Sequence, residues 1–260
     1  MVKYWYIKGD FLKERSGRIG ASDMPKMIPN PEKPTESLAG YEQTAITLWQ
    51  EKTGRKKRDP AGLPAEMGHY LEAKAIELFI RYYANSGRAE QFLTDARTYE
   101  FTTERVGVDK VNAAQYQNTP FFHHTQFYRD DMICHPDAIH DPQAWPFPPL
   151  KKRAHDVTVA FDEPFIIEAK SAGYWSANRP EGSIVRGYDP TLKTWQGIPL
   201  KHYVQIQFQL ALLEVKTAYL PLLYNTNQFD VWKINANRKH QGQLIDLAGK
   251  MAWHIKNDKA

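Results

Sequence analysis

The residues of this chain whose types and spacing best suit chemistry are Asp137, Glu168 and Lys170. Asp137 closes the run His135-Pro136-Asp137, and Glu168-Ala169-Lys170 follows the apolar run Phe165-Ile166-Ile167. In extended chain the side chains alternate, so Glu168 and Lys170 share a face with Ile166. Charged groups on a face that should be apolar need a reason, because burying them unpaired is costly. A divalent cation supplies one. Asp137 and Glu168 are oxygen donors of the kind Mg²⁺ takes, and Lys170 is placed to act on a water beside it.

Other polar residues sit where apolar ones are expected. Glu72 falls on the stripe Gly68, Leu71, Ala75, Ile76, Phe79 and Tyr83 of a helical pattern. Gln205 and Gln209 are amides four apart on an otherwise apolar helix. Each has an ordinary alternative: a salt bridge for Glu72, a turn cap for Asp137, an edge-strand pair for Glu168 and Lys170, backbone satisfaction for the glutamines. Together they fit hydrolysis of a phosphodiester. That reaction needs an activated water, charge stabilisation in the transition state and help for the leaving oxygen, all of which carboxylate-held Mg²⁺ provides.

Several elements must position these groups. A short helix is expected from Ser22 as N-cap with Pro25 in its first turn, and a second over Tyr41–Lys52, ended by Gly54. The clearest helical pattern runs from Pro64 to Asn85 and carries Glu72. Strands are expected at Arg97–Phe101, Gln126–Ile139, Val157–Phe161 and Pro164–Lys170, with a Pro-rich inserted loop over 141–153. Pro199–Val215 reads as the glutamine-bearing helix. Ala218–Tyr224 and Phe229–Ile234 read as a hairpin around Asn225-Thr226-Asn227, and Arg238–Lys256 as a closing helix. The sum is an α/β (α+β) fold, a central mixed β-sheet flanked by helices, in one domain over 1–260.

The 260 residues carry a formal charge of +4, which permits a polyanionic partner without requiring one. Basic runs at Arg55-Lys56-Lys57-Arg58 and Lys151-Lys152-Arg153 suit loops and, beside a metal-type motif, nucleic acid. No apolar run is long enough to span a membrane, and the N-terminal residues lack the pattern of a signal peptide. One cysteine, Cys134, rules out an intrachain disulfide and suggests a cytoplasmic setting. His123-His124 and His135 with Cys134 match no standard zinc spacing, and Cys134 reads as a small buried residue. No Gly-rich loop of the Walker type is present.

His135-Pro136-Asp137 followed by Glu168-Ala169-Lys170 resembles the signature of the PD-(D/E)xK nucleases. Gly68-His69-Tyr70-Leu71-Glu72 resembles the helix motif that adds an acidic ligand, and His202-Tyr203-Val204-Gln205-Ile206-Gln207 the glutamine helix after the catalytic lysine. Arg15-Ser16-Gly17-Arg18-Ile19-Gly20-Ala21-Ser22-Asp23 and Leu48-Trp49-Gln50-Glu51-Lys52-Thr53-Gly54 are similar to motifs of the phage lambda exonuclease and YqaJ-type viral recombinase family. The motifs stand in the family's order, from about residue 11 to 224, with 225–260 adding a C-terminal strand and helix.

The resemblance implies a restriction-endonuclease-like core. It implies that Asp137, Glu168 and the Ala169 carbonyl hold Mg²⁺ (with Mn²⁺ able to substitute), that Glu72 holds it directly or through water, that Lys170 acts on the attacking water and that Gln205 positions that lysine or the scissile strand. Arg15 and Ser22 match a pocket for a terminal 5′-phosphate, and His135 is a further candidate for phosphate. The implied activity is 5′-to-3′ digestion of one strand of linear duplex DNA by a ring-shaped homotrimer, leaving 3′ overhangs for recombination with a single-strand annealing protein as partner. The alternatives are a structure- or sequence-specific endonuclease on the same core, or a DNA-binding subunit without catalysis. The interval from Asp137 to Glu168 is longer than in the family, and His135 stands where relatives carry a small polar residue.

Overall fold

The computed structural model describes residues 15–31, 33–40, 42–57, 68, 71–72, 74–76, 78–79, 122–123, 127–140, 163–172, 188–189, 194–195, 198–224 and 228–259. The expected strands at 97–101 and 157–161, the loop over 141–153 with its basic run, Arg58 and the turn at 225–227 lie outside them.

A six-stranded mixed sheet carries the Asp137 and Glu168 segments. Its strands are β2 (Phe122–His123), β5 (Ala138–His140), β6 (Phe165–Ile167), β7 (Lys170–Ala172), β10 (Thr217–Tyr224) and β11 (Gln228–Asn235). β5 lies antiparallel between β2 and β6, β6 and β7 run parallel to β10, and β11 returns antiparallel along the edge of β10. The hairpin is one residue longer at each outer end than the alternation predicts, and its second strand starts one residue earlier.

The expected single strand at 164–170 is divided, for a local reason. Ile167 pairs with Tyr219 and Lys170 with Leu222, so β6 and β7 keep one register along β10. Between them, Glu168 N–H still donates to the Tyr219 carbonyl at 3.0 Å. The next parallel hydrogen bond would come from the residue 221 N–H, and Pro221 has none. The ladder therefore opens at Glu168 and Ala169. Side-chain alternation is kept across the gap, and the main chain there is released from the ladder.

The expected strand over 126–139 is three strands in two sheets. β3 (Phe127–Arg129) and β4 (Met132–Cys134) form a tight hairpin, turned at Asp130 with φ 54°, and β4 also pairs parallel with β1 (Ile19–Gly20). Only β5 enters the main sheet, after His135, Pro136 and Asp137. β8 (Tyr188–Asp189) and β9 (Thr194–Trp195) pair only with each other among the described residues.

Helices cover both faces. A 3₁₀ turn over Ala21–Asp23 leads into α1 (Met24–Met27), so Ser22 is inside the turn and is not its N-cap. α2 (Ala45–Lys52) starts later than Tyr41 because Thr44 caps it, accepting from Thr47 N–H. α3 (Leu200–Leu213) ends at Glu214 with φ 56°, a left-handed stop. α4 (Arg238–Lys256) is capped by Asn237, which accepts from His240 N–H at 3.2 Å.

One core joins Ile139, Ile166, Ala218 and Leu220 of the sheet to Val204 and Phe208 of α3, to Ile19, Met24 and Leu48, and to Leu244 and Ala248 of α4. The other sets Phe165, Ile167 and Tyr219 against Ala75, Ile76 and Phe79 of the helix that carries Glu72, with Phe165 and Tyr219 edge to face at 5.1 Å. Each fully buried large apolar side chain contributes roughly 1.5–3 kcal/mol. No helix among the described residues is long and apolar enough to cross a membrane.

Candidate active site

The gap opposite Pro221 is where the charged residues meet. Asp137 lies just before β5, Glu168 and Ala169 lie in the gap, and Lys170 opens β7. Ala169 N–H, free of the ladder, donates to Asp137 Oδ2 at 2.7 Å. The Lys170 ammonium lies 2.6 Å from Glu168 Oε1, 2.9 Å from the Ala169 carbonyl and 3.8 Å from Asp137 Oδ2. α3 closes the site from the Ile166 side. Gln205 Nε2 donates to Glu168 Oε1, and Gln209 Nε2 donates to Glu168 Oε2 at 2.8 Å. Both glutamines are one turn apart, so both reach one carboxylate. Glu72 approaches from the opposite helix and shares a side-chain hydrogen bond with Asp137.

The electrostatics follow from surplus acid in a buried place. Burial and the nearby Asp137 charge push Glu168 up to about 7, against the help of Lys170 and Gln209. Burial raises Asp137 well above the usual carboxylate range, with Glu72 adding to it. Glu72 is raised as well, by burial first. Burial opposes the Lys170 ammonium, but Glu168 and Asp137 outweigh it and raise its pKa, so it stays protonated. The Lys170 ammonium thus stands between Glu168, Ala169 and Asp137.

These donors fit a hard divalent cation. Two carboxylates and a main-chain carbonyl converge on one positive group, and the carboxylates are crowded enough to resist ionisation without more positive charge. Among the described residues no three His, Cys, Asp or Glu side chains form a metal cluster by themselves. The convergent set is mixed, with the Ala169 carbonyl as one donor.

Sequence reasoning placed Glu72, Asp137, Glu168, Ala169, Lys170 and Gln205 in one site, and the structure brings these six together. It also brings in Gln209, for which the sequence implies no role in the chemistry; its i, i+4 spacing from Gln205 is the available signal. His202, in the first turn of α3, feels the site too. Burial first, then the Lys170 and Lys201 charges, hold its imidazole neutral. His135 lies between β4 and Asp137. Cys134 is buried and its thiol is raised by burial and by Glu168, so it stays a protonated core residue.

Arg15, ahead of β1, and Ser22, on the 3₁₀ turn that packs against α3, form a second constellation. Arg15 Nη2 donates to Ser22 Oγ. Asp23 lies beneath, 2% exposed, with its Oδ2 accepting from Gly20 N–H at 2.9 Å.

No protein-family model matches the chain, and no curated protein does either. Solved structures do. An alkaline exonuclease (LHK-Exo) from Laribacter hongkongensis aligns with a TM-score of 0.55 at 10% identity, over 95% of this chain and 92% of that one. LHK-Exo in complex with dAMP aligns with a TM-score of 0.51 at 12% identity, over 94% and 90%. At such identity the agreement is one of fold: this chain has the mixed-sheet, helix-flanked fold of those exonuclease structures.

Proposed function

We propose that the chain is a Mg²⁺-dependent deoxyribonuclease of the lambda-exonuclease type. It digests one strand of linear duplex DNA from a 5′-phosphorylated end and leaves a 3′ overhang for recombination. The observation that carries this reading is the meeting of the Glu168 and Asp137 carboxylates and the Ala169 carbonyl around the Lys170 ammonium, in a fold shared with an alkaline exonuclease.

Asp137, Glu168 and the Ala169 carbonyl would hold the cation, with Glu72 directly or through water. When bound, the cation supplies Lewis-acid activation of a water and neutralises charge on the phosphate. The protein's own groups do the rest. Gln205 and Gln209 fix the plane of the Glu168 carboxylate by donating to both of its oxygens. Asp137 is held by the Ala169 N–H. Lys170 would act on the attacking water, orienting it and stabilising the charge that develops. Arg15 and Ser22 would take the terminal 5′-phosphate, since a guanidinium is a strong phosphate partner. A homotrimer, a single-strand annealing protein as partner and a cytoplasmic setting complete the proposal.

The test compares linear duplex with 5′-phosphate ends, linear duplex with 5′-hydroxyl ends and closed circular DNA, each with Mg²⁺ and with chelator. Mg²⁺-dependent release of nucleotides from the phosphorylated linear substrate, slower from the hydroxyl one and absent from the circle, is expected. Cleavage of the circle would replace the exonuclease by an endonuclease, and equal rates with chelator would remove the metal.

A further inference from the structure

Lys52 belongs to a run of sequence that the proposed chemistry leaves without a role, and the fold carries it back to Arg15. At the end of α2 its ammonium donates to the Arg15 carbonyl at 2.7 Å and the Arg18 carbonyl at 2.6 Å, and lies 3.0 Å from Asp23 Oδ2. Arg15 is a looser partner of the same acid, with Nη2 at 3.6 Å from Asp23 Oδ1 while it donates to Ser22. Burial raises the pKa of Asp23, but Lys52 and then Arg15 outweigh it, so the carboxylate is fully ionised. The turn is packed so tightly that a Cβ on Gly20 would meet Asp23 Oδ2 at 3.2 Å and Arg15 Nε at 3.4 Å.

This arrangement has a strong competitor built in. A buried carboxylate beside Arg15 is the natural partner for its guanidinium, more so than a hydroxyl. Lys52 occupies that carboxylate at closer range and at the same time ties down the main chain at Arg15 and Arg18.

We propose that Lys52 is a positioning residue for the 5′-phosphate pocket: it compensates Asp23 and so keeps the Arg15 guanidinium turned toward Ser22 and the incoming phosphate. The inference rests on the reading of Arg15 and Ser22 as that pocket. Without Lys52 the guanidinium swings onto Asp23 and the pocket loses its cation.

The experiment measures kcat and KM with Mg²⁺ on linear duplex carrying 5′-phosphate or 5′-hydroxyl ends. Lys52→Met should weaken use of phosphorylated ends roughly 10–100-fold, the worth of one charge-assisted hydrogen bond, through KM. kcat at saturating DNA and the rate on hydroxyl ends should stay near wild type. Lys52→Arg should keep the phosphate preference. Asp23→Asn added to Lys52→Met should restore part of it, because no buried anion is left to draw Arg15 away; a role in folding alone would change the rates on both kinds of end alike and leave their ratio untouched. Lys52→Gln, which keeps a donor for the carbonyls without the charge, makes the same test if the methionine variant does not fold. A wild-type phosphate preference in Lys52→Met or Lys52→Gln overturns the role of Lys52 while leaving the pocket intact. Absence of a phosphate preference in the wild-type enzyme overturns the pocket itself, and this role with it.

Discussion

Two buried clusters in this molecule are built from the same parts and behave in opposite ways. Around Asp23, one carboxylate meets Lys52 and Arg15, and its pKa is lowered. Around Glu168, two carboxylates meet one ammonium with a third, Glu72, acting on Asp137, and the pKa values of Glu168, Asp137 and Glu72 are raised. Burial raises a carboxylate in both places, so the ratio of charges decides the sign. The first cluster is complete and serves as a joint between the N-terminal turn and α2. The second is short of positive charge, and that shortage is what makes it a candidate for binding a cation.

The largest effect should come from removing the charges that define the second cluster. Glu168→Gln or Lys170→Ala should lower Mg²⁺-dependent hydrolysis by a factor of about 10³ or more, comparable to loss of a main electrostatic stabiliser, while DNA binding survives. Gel-shift and nuclease assays on the same preparations check both halves; full activity in either variant would break the comparison. The next effect is on stability. Glu168 is raised from 4.5 to about 7, so its burial favours the folded state below pH 4.5. That contribution is lost as pH rises toward 7 and is absent above it. In chelator, thermal melts should therefore show stability falling across that window by at most about 3 kcal/mol from this group. Mg²⁺ should restore stability at pH 8. Melting curves that are flat with pH and blind to Mg²⁺ would make the two clusters equivalent after all. The smallest effect concerns support: Gln209→Leu should weaken Mg²⁺ affinity and activity about 10–100-fold, as losses of groups that orient metal ligands do. Titration of activity with Mg²⁺ measures it, and an unchanged midpoint would leave Glu168 held by Gln205 and Lys170.

The sequence showed much of the second cluster because its signals are local. Glu168 and Lys170 are two apart, Gln205 and Gln209 four apart, and Glu72 interrupts an apolar stripe; each is a mismatch between a residue and the face its period assigns it. The fold class was legible for the same reason, from the periods of α3, α4 and the closing hairpin. What stayed hidden depends on partners distant in sequence. Pro221 shapes the site by withholding an N–H from Glu168, which is visible only once the parallel register is known. The strand reading across 126–139 missed the turn at Asp130, because a left-handed aspartate leaves no mark in hydrophobic alternation. Ser22 looked like a cap, but Asp23 takes the Gly20 N–H instead, held in place by a lysine from another helix.

α3 carries a third amide, Gln207, on the side away from Gln205 and Gln209. It is fully buried, accepts from Asn237 N–H at 2.9 Å and Gln241 Nε2 at 3.2 Å, and donates to the Asn235 carbonyl at 2.8 Å. A rod gripped on two opposite sides cannot turn about its long axis. The residues after the hairpin, which contribute no group to the chemistry, thus act as a torsional stop: they set the angle at which the two glutamines meet Glu168, as a key holds a wheel on its shaft.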